Sequence, residues 1–268
     1  MTLRTIPDEL PVLAKQMLPD GLAEELLIDK GLLLINGPTG SGKTTLIGAV
    51  IHERTKENPA PSIQTFEDPI EISFGLAGLG NGPLVAQCGV GRHIADWSRA
   101  APAAMRSKPD ILLMGEIRDA MTADKTMEMA VTGHAVMATI HADTPNETMF
   151  RLVEMFPAEG RSAAAAKLLG ALRVICSRKI VRLDVGMPVP LTSWIVFDSE
   201  IKDDLQSEDW PYPKWARYVK EHIERHGQDF ASQCIAHIRS GGMGFKLFRE
   251  TTGMGKQEAE KYFEKARG

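Results

Sequence analysis

The residues from Gly37 to Thr44 have the spacing of a phosphate-binding loop. They read Gly-Pro-Thr-Gly-Ser-Gly-Lys-Thr and fit the pattern GxxxxGK[ST]. Glycines let the backbone curl around an anion, so that successive N–H groups and the start of the next helix point at the phosphates. Lys43 would then reach the β- and γ-phosphates, and the Thr44 hydroxyl would ligate Mg²⁺. The predicted nucleotide-binding residues are Gly37, Pro38, Thr39, Gly40, Ser41, Gly42, Lys43, Thr44 and Thr45.

Carboxylates follow two further apolar stretches. The run 109–119 predicts a strand that ends in acidic residues, and Glu116 is its candidate for a carboxylate next to Mg²⁺. The run 62–66 predicts another short strand and leads directly into Glu67 and Glu71. A carboxylate at a strand end is suited to orienting a water molecule in line with the γ-phosphate. From the residues alone, Glu67 and Glu71 fit this role equally well.

Two histidines bracket the apolar run 135–140. His134 precedes the run and His141 follows it. A lone histidine is more often a satisfied core or surface residue than a functional one. A pair at the two ends of one predicted strand, in a chain with a phosphate-binding loop, is a less ordinary pattern and makes both candidates for function.

A parallel sheet is needed to bring these groups together. The apolar run 31–36 predicts the strand that leads into the loop, and residues 45–56 predict the helix that follows it. Strand and helix patterns alternate to about residue 155, which indicates a largely parallel sheet flanked by helices. Residues 8–30 look helical in parts, and the glycine-rich stretch 75–91 predicts a flexible loop or β-ribbon.

The rest of the sequence predicts a hairpin and a helical region. The alanine-rich stretch 160–176 predicts a strong helix. Two apolar runs, 181–183 and 191–197, flank turn-forming residues and predict a hairpin at the edge of the sheet. After Asp198 the composition shifts toward charged and aromatic residues, which predicts a small helical region.

The predicted architecture is therefore α/β with two domains. The first, residues 1–198, would hold the sheet and the phosphate-binding loop. The second, residues 199–268, would be helical and end with a helix over 256–266.

Composition excludes several classes of protein. Of the 268 residues, 43% are apolar and 25% are charged, which is typical of a globular protein. No run approaches the ~18 apolar residues of a membrane span. The three cysteines have no paired spacing, so neither a zinc site nor a disulfide framework is indicated, and a cytoplasmic location is expected.

Charge argues against a dedicated DNA-binding surface. The formal net charge is −4, whereas neutralising DNA phosphates requires clustered lysine and arginine. Arg173, Arg178, Lys179 and Arg182 do cluster around a predicted strand. We interpret this cluster as a solvated face or a subunit contact.

Four motifs, in this order, resemble the secretion ATPase superfamily that powers type II and type IV secretion, conjugation and type IV pili. They read GPTGSGKTT, FEDPIE, ILLMGEIRD and TGHAVMATIHA, and the resemblance covers nearly all of residues 3–197. The stretches Leu3–Pro7 and Arg151–Pro157 also resemble the pilus-retraction branch and its relatives among conjugal-transfer and intracellular-effector secretion ATPases.

The resemblance implies a RecA-like P-loop NTPase core with a small C-terminal helical region. It favours Glu67 over Glu71 as the residue that polarises the attacking water. His141 would sense the γ-phosphate, while His134 would support the local fold. The implied catalytic residues are Glu67, Glu116 and His141, the implied metal ligands are Thr44 and Glu116, and Arg118 and Asp119 would join the network at the mouth of the site.

The implied function is Mg²⁺-dependent ATP hydrolysis that powers a type IV secretion, conjugal plasmid transfer or type IV pilus machine. The implied ligands are ATP and Mg²⁺. The expected partners are further copies of the same chain in a homohexamer and inner-membrane components of the machine. The protein would then lie in the cytoplasm, peripheral to the inner membrane, without strong nucleic-acid binding.

Three features depart from the pattern of the family. Relatives carry an N-terminal domain before the Leu3–Pro7 stretch that supplies arginines to the neighbouring subunit, so we expect this sequence to be a shortened protein or one part of a longer one. Pro102 stands where retraction ATPases often have arginine. Proline inside a helix costs about 3 kcal/mol, so we expect this helix to start near Pro102 or to bend there. The tetracysteine zinc element of many type II secretion ATPases is missing as well.

The retraction branch also carries an Ala-Ile-Arg-Asn-Leu-Ile element near its end, which the stretch 235–242 of this chain matches only in part. This difference favours a conjugation or secretion motor over a twitching-pilus motor. The missing N-terminal domain leaves an alternative, in which the protein is a low-turnover ATP-binding subunit that regulates or assembles such a machine.

Overall fold

The structure, a computed structural model, describes residues 9–75, 85–207 and 211–267. Within them, seven strands form one sheet in the order β3-β2-β4-β5-β1-β6-β7. Strands β1 to β6 all run parallel to one another, and β7 is antiparallel to its neighbour β6. The strands are β1 Gly31–Asn36, β2 Ile63–Glu67, β3 Val85–Gly89, β4 Ile111–Met114, β5 Ala135–Ile140, β6 Leu172–Arg182 and β7 Pro188–Val196.

The central strand β1 shows how the sheet is held in place. All six of its residues are buried. Leu32 and Leu34 pack into one apolar cluster, and Leu33 and Ile35 pack into another. Successive side chains of a strand point to opposite faces, so both faces of the sheet are covered. Each fully buried leucine or isoleucine side chain contributes about 2 kcal/mol.

Helices follow most of the strands and cover the sheet. Several begin at a side-chain cap, in which an acidic or hydroxyl group accepts a backbone N–H bond: Asp96, Asp119, Thr144, Asp198 and Asp229. Such caps satisfy orphan donors of the first turn. The helices are α1 Leu22–Glu25, α2 Lys43–Arg54, α3 Trp97–Ser107, α4 Ala120–Val131, α5 Pro145–Glu154, α6 Arg161–Ala171, α7 Ser199–Gln206, α8 Trp215–Arg225, α9 Phe230–Arg239, α10 Phe245–Thr252 and α11 Lys256–Arg267.

The predictions of local structure differ in outcome. Residues 9–30 are helical in parts, as predicted, because they form the short helix α1 and one 3₁₀ turn, Leu13–Lys15. The helix predicted over 160–176 ends at Ala171, because Leu172 begins the pairing of β6 with β1. Part of the glycine-rich stretch, predicted as a flexible loop or β-ribbon, is the regular strand β3, which pairs with β2 as part of the main sheet. The rest of that stretch, 76–84, and the Leu3–Pro7 motif lie outside the described residues.

Helix α3 begins before Pro102, so the expected start near that residue is wrong, while the alternative of a bend at Pro102 stays a prediction. It starts at Trp97, where the carboxylate of Asp96 accepts a bond from the backbone N–H of Arg99 at 3.2 Å. The helix continues through Pro102 to Ser107. Burial of Ala100 and Ala104 in the core offsets the bond that proline cannot make.

The chain after β7 is helical, as predicted, and packs in two places. Side chains of α7 and α8, such as Ile201 and Trp215, belong to the same apolar cluster as one face of the sheet. Helices α9 to α11 form a further cluster around Phe248, which also contains Leu191 of the β6–β7 hairpin. The division into two domains at residue 198 stays a prediction. In the described part of the chain, no helix is both long and apolar enough to cross a membrane.

Candidate nucleotide site

The phosphate-binding loop lies between β1 and α2, as its sequence pattern predicts. Gly37 has φ 143° and Gly42 has φ 83°, a region that side chains disfavour. A Cβ atom at Gly37 would stand 2.2 Å from the carbonyl oxygen of Arg178, so only glycine fits there. The Lys43 ammonium donates to the carbonyls of Gly37 and Pro38 at 2.8 and 3.0 Å. The loop is thus closed around its own lysine.

A cavity of about 390 Å³ opens beside this loop, at the carboxyl ends of the parallel strands. Ends of parallel strands share one edge of a sheet, which explains how residues far apart in sequence meet there. Most predicted site residues line the cavity: Thr39, Gly40, Gly42, Lys43, Thr44, Thr45, Glu67, Glu116 and His141. Gly37, Pro38 and Ser41 belong to the loop but do not line it.

The cavity combines one lysine with several carboxylates. Burial lowers the pKa of Lys43, while the charges of Glu116 and Glu71 raise it. Asp68 also lines the cavity. The site therefore holds an excess of negative side chains, which favours a divalent cation beside any bound phosphates.

Glu67 ends β2 and is only 7% exposed. Its Oε1 atom accepts bonds from the Thr65 hydroxyl at 2.6 Å and from the Gln87 amide at 3.1 Å. Burial raises the pKa of this carboxyl, the bonds from Thr65 and Gln87 lower it, and the charge of Glu71 raises it; the net direction is upward. A buried, oriented carboxylate with a raised pKa has the properties of a general base.

Glu116 lies between Arg118 and His141. Its Oε2 atom is 2.6 Å from Arg118 Nη2, and its Oε1 atom is 3.3 Å from His141 Nε2. Arg118 therefore joins the network, as expected. Asp119 does not line the cavity: its carboxylate accepts the backbone N–H of Thr122 at 2.8 Å and caps α4. The expectation for Asp119 is wrong because the start of a helix uses its side chain.

The two histidines lie at opposite ends of β5. His141 lines the cavity, whereas His134 lies at the other edge of the sheet. There, its Nδ1 atom is 3.2 Å from the Met129 carbonyl, and its own carbonyl accepts the backbone N–H of Gly31. The structure thus separates two histidines that the sequence pattern treats as a pair.

Sequence reasoning missed some residues of the site. Gln87 contacts Glu67 from the neighbouring strand, and Trp97 and Thr139 line the cavity. The Thr139 hydroxyl donates to the carbonyl of Gly115, which holds the ends of β4 and β5 together. Gln87 lies in the stretch interpreted as a flexible loop or β-ribbon, and no pattern indicated its role. Thr139 is the one polar residue in an otherwise apolar strand, a signal that was available.

The basic cluster is not a uniformly solvated face. Arg182 is exposed, but Arg178 is 4% exposed and lies against the phosphate-binding loop. The interpretation of Arg178 as a solvated or contact residue does not hold within this chain, because the P-loop covers it.

Asn36 fixes the start of the loop from below. Its amide donates to the Ala142 carbonyl at 3.0 Å and to the Ser177 hydroxyl at 2.7 Å, and Ser177 donates back at 2.9 Å. All of these atoms are buried, so each bond is costly to lose. The network ties the end of β1 to the residue after His141.

A parallel sheet whose first strand leads through a glycine loop into a helix, with carboxylates at the neighbouring strand ends, defines a P-loop NTPase with a RecA-like core. The predicted fold class is confirmed. A family model described as "Type II/IV secretion system protein" matches residues 12–196, and the chain belongs to that family.

Individual relatives agree with this assignment. The chain is 33% identical to the type IV pilus ATPase PilU of Pseudomonas aeruginosa over 205 residues, which covers 76% of this chain and 52% of PilU. The structure of the Legionella pneumophila ATPase DotB superposes with a TM-score of 0.85 at 29% identity, covering 92% of this chain and 66% of DotB. The pilus retraction motor PilT, solved with bound ADP, gives 0.82 at 27% identity, covering 96% of this chain and 71% of that one. The chain spans about half the length of the curated relatives it matches.

Proposed function

We propose that this protein is a Mg²⁺-dependent ATPase that powers a type IV secretion, conjugation or type IV pilus machine. One observation carries the proposal: Lys43, Thr44, Glu67, Glu116 and His141 line a single cavity at the phosphate-binding loop. The structure of PilT with bound ADP supports nucleotide use at this loop.

The residues fit the binding of Mg²⁺ together with nucleotide. Among the described residues, no group of three or more histidine, cysteine or carboxylate side chains could hold a metal ion by itself. Mg²⁺ commonly binds through one or two protein ligands and substrate phosphates instead of a protein cage. The Thr44 hydroxyl and the Glu116 carboxylate would hold it here. When bound, it would neutralise charge on the phosphate oxygens.

The side chains divide the work of hydrolysis among them. Lys43 would exchange its bonds to the loop carbonyls for bonds to the β- and γ-phosphates. Glu67, whose carboxylate is held in place by Thr65 and Gln87, would accept a proton from the attacking water. His141 would report the presence of the γ-phosphate through its contact with Glu116, because that contact links the strand ends of β4 and β5.

Assembly and place in the cell are part of the same proposal. We expect the chain to act as a homohexamer with inner-membrane components of its machine, on the cytoplasmic side. Membership of the type II/IV secretion system family supports a role within such a machine.

The test is steady-state ATP hydrolysis with oligomeric mass measured in each sample. Lys43→Ala should abolish nucleotide binding, and Glu67→Gln should retain ATP binding but lose turnover. Glu71→Gln is the matched control, since Glu71 lines the same cavity and sequence alone did not separate it from Glu67. Turnover that survives in Glu67→Gln and is lost in Glu71→Gln would transfer the base role to Glu71. Tight ATP binding without wild-type turnover would instead support the regulatory or assembly subunit.

A further inference from the structure

A buried arginine supports the phosphate-binding loop from the side away from the cavity. Arg178 lies on β6, next to Ser177, which pairs with Asn36 at the end of β1. Its carbonyl oxygen would be 2.2 Å from a Cβ atom at Gly37, and its Nε atom would be 3.6 Å from a Cβ atom at Gly42. Gly42 lines the cavity, whereas Arg178 does not. Only the loop backbone separates the guanidinium from the predicted phosphate site.

The charge of this arginine is poorly compensated. Nη2 donates to the Gln16 carbonyl at 2.9 Å, but Nε and Nη1 are buried and have no hydrogen-bond partner among the described residues. Among the described residues, Arg178 forms no ion pair. Burial lowers the pKa of the guanidinium, although arginine remains charged in proteins. A buried cation without a counter-ion destabilises a folded chain.

We propose that Arg178 is a positioning residue whose charge raises the affinity of the loop for the nucleotide phosphates. The inference rests on the proposed function, because the missing counter-ion is the polyphosphate itself. Arg178 itself is only 4% exposed, so its charge acts from a buried position, where the effective dielectric constant is below that of water. The buried charge of Arg178 thus destabilises the nucleotide-free protein and strengthens the binding of nucleotide.

The opposite effects on stability and affinity separate this role from a structural one. A structural arginine would stabilise the chain, and its loss would weaken folding and binding together. For Arg178, a neutral side chain of similar length should weaken binding while the nucleotide-free protein melts at the same or a higher temperature. The loss of affinity should also be larger for ATP than for ADP, since ATP carries more negative charge.

The experiment uses Arg178→Met and Arg178→Lys, with Arg182→Met as the matched control on the same strand. Affinities for fluorescent ATP and ADP analogues and the melting temperature without nucleotide are measured for the full chain. Arg178→Met should raise the Kd for ATP about tenfold, equivalent to about 1.4 kcal/mol. The Kd of Arg178→Lys for ATP should stay within about threefold of the wild-type value. The Kd of Arg182→Met should equal that of the wild type.

Two results would overturn the inference. One is unchanged ATP affinity in Arg178→Met. The other is loss of melting temperature together with equal losses for ATP and ADP, which would mark a structural residue. Failure of the wild-type chain to bind either analogue is a different result, because it refutes the proposed function itself and removes the inference with it.

Discussion

Gln87 should control the protonation of Glu67, and replacing it by methionine tests this. The Gln87 amide donates to Glu67 at 3.1 Å and to the Ile72 carbonyl at 2.8 Å, while its oxygen accepts the Phe74 N–H at 2.9 Å. Methionine fills a similar volume without these bonds. The substitution therefore removes one of the two hydrogen bonds that lower the pKa of Glu67 and leaves the burial that raises it.

The expected size follows from these contacts. A hydrogen bond to a charged group is worth about 1.5 to 3 kcal/mol, and one pKa unit corresponds to about 1.4 kcal/mol. Since Gln87 is partly exposed, we expect its bond to ionised Glu67 to lie at the low end, about 1.5 kcal/mol, and its loss moves the pKa of Glu67 further upward. The loss of the bonds to Ile72 and Phe74 should also lower the free energy of unfolding by about 2 kcal/mol.

The assay is the pH dependence of kcat. A general base must be ionised, so a higher pKa of Glu67 moves the acid limb of the profile to higher pH. Thr65→Val, which removes the other bond to Glu67, should move it in the same direction. Gln64→Met is the control, because Gln64 lies on the same strand as Glu67 and makes no bond to it in the described structure. An acid limb that stays in place in both Gln87→Met and Thr65→Val would refute the reasoning.

Three further predictions concern stability, each measured by denaturant or thermal unfolding. Gly37→Ala should cost about 3 kcal/mol or more, because φ 143° and the overlap with the Arg178 carbonyl both oppose a Cβ atom; an unchanged midpoint would contradict it. Glu67→Gln should stabilise the protein at neutral pH. The pKa of Glu67 is higher in the folded than in the unfolded chain, so its contribution to stability is present below the unfolded pKa and is lost as pH rises through the folded pKa. This advantage should vanish in acid, and a constant difference across pH would show another cause. Phe248→Ala should lower the free energy of unfolding by about 3 to 5 kcal/mol, because Phe248 is fully buried among the last helices. A decrease of less than about 1 kcal/mol, as expected for a surface site, would mean that this cluster is loosely packed.

Much of the fold could be predicted because its signals are local. Apolar runs such as Gly31–Asn36 mark buried strands, and their alternation with helices indicates a parallel sheet. Boundaries were less secure. Leu172 follows an alanine-rich helix, and only its pairing with β1 decides that the chain is extended from there. The frequent glycines around residues 85–89 leave a loop and a β-ribbon equally open, and only pairing with β2 makes these residues a strand of the main sheet.

By itself, the sequence determined the phosphate-binding loop, the acidic strand ends and the family. These depend on residue types at fixed spacing along one stretch of chain, which sets backbone conformation and the nearest side chains. The tertiary structure decided which distant groups meet. It placed Gln87 on Glu67 and buried Arg178 behind the loop. Such contacts depend on the register of neighbouring strands, and a shift of one residue turns a side chain to the other face of the sheet.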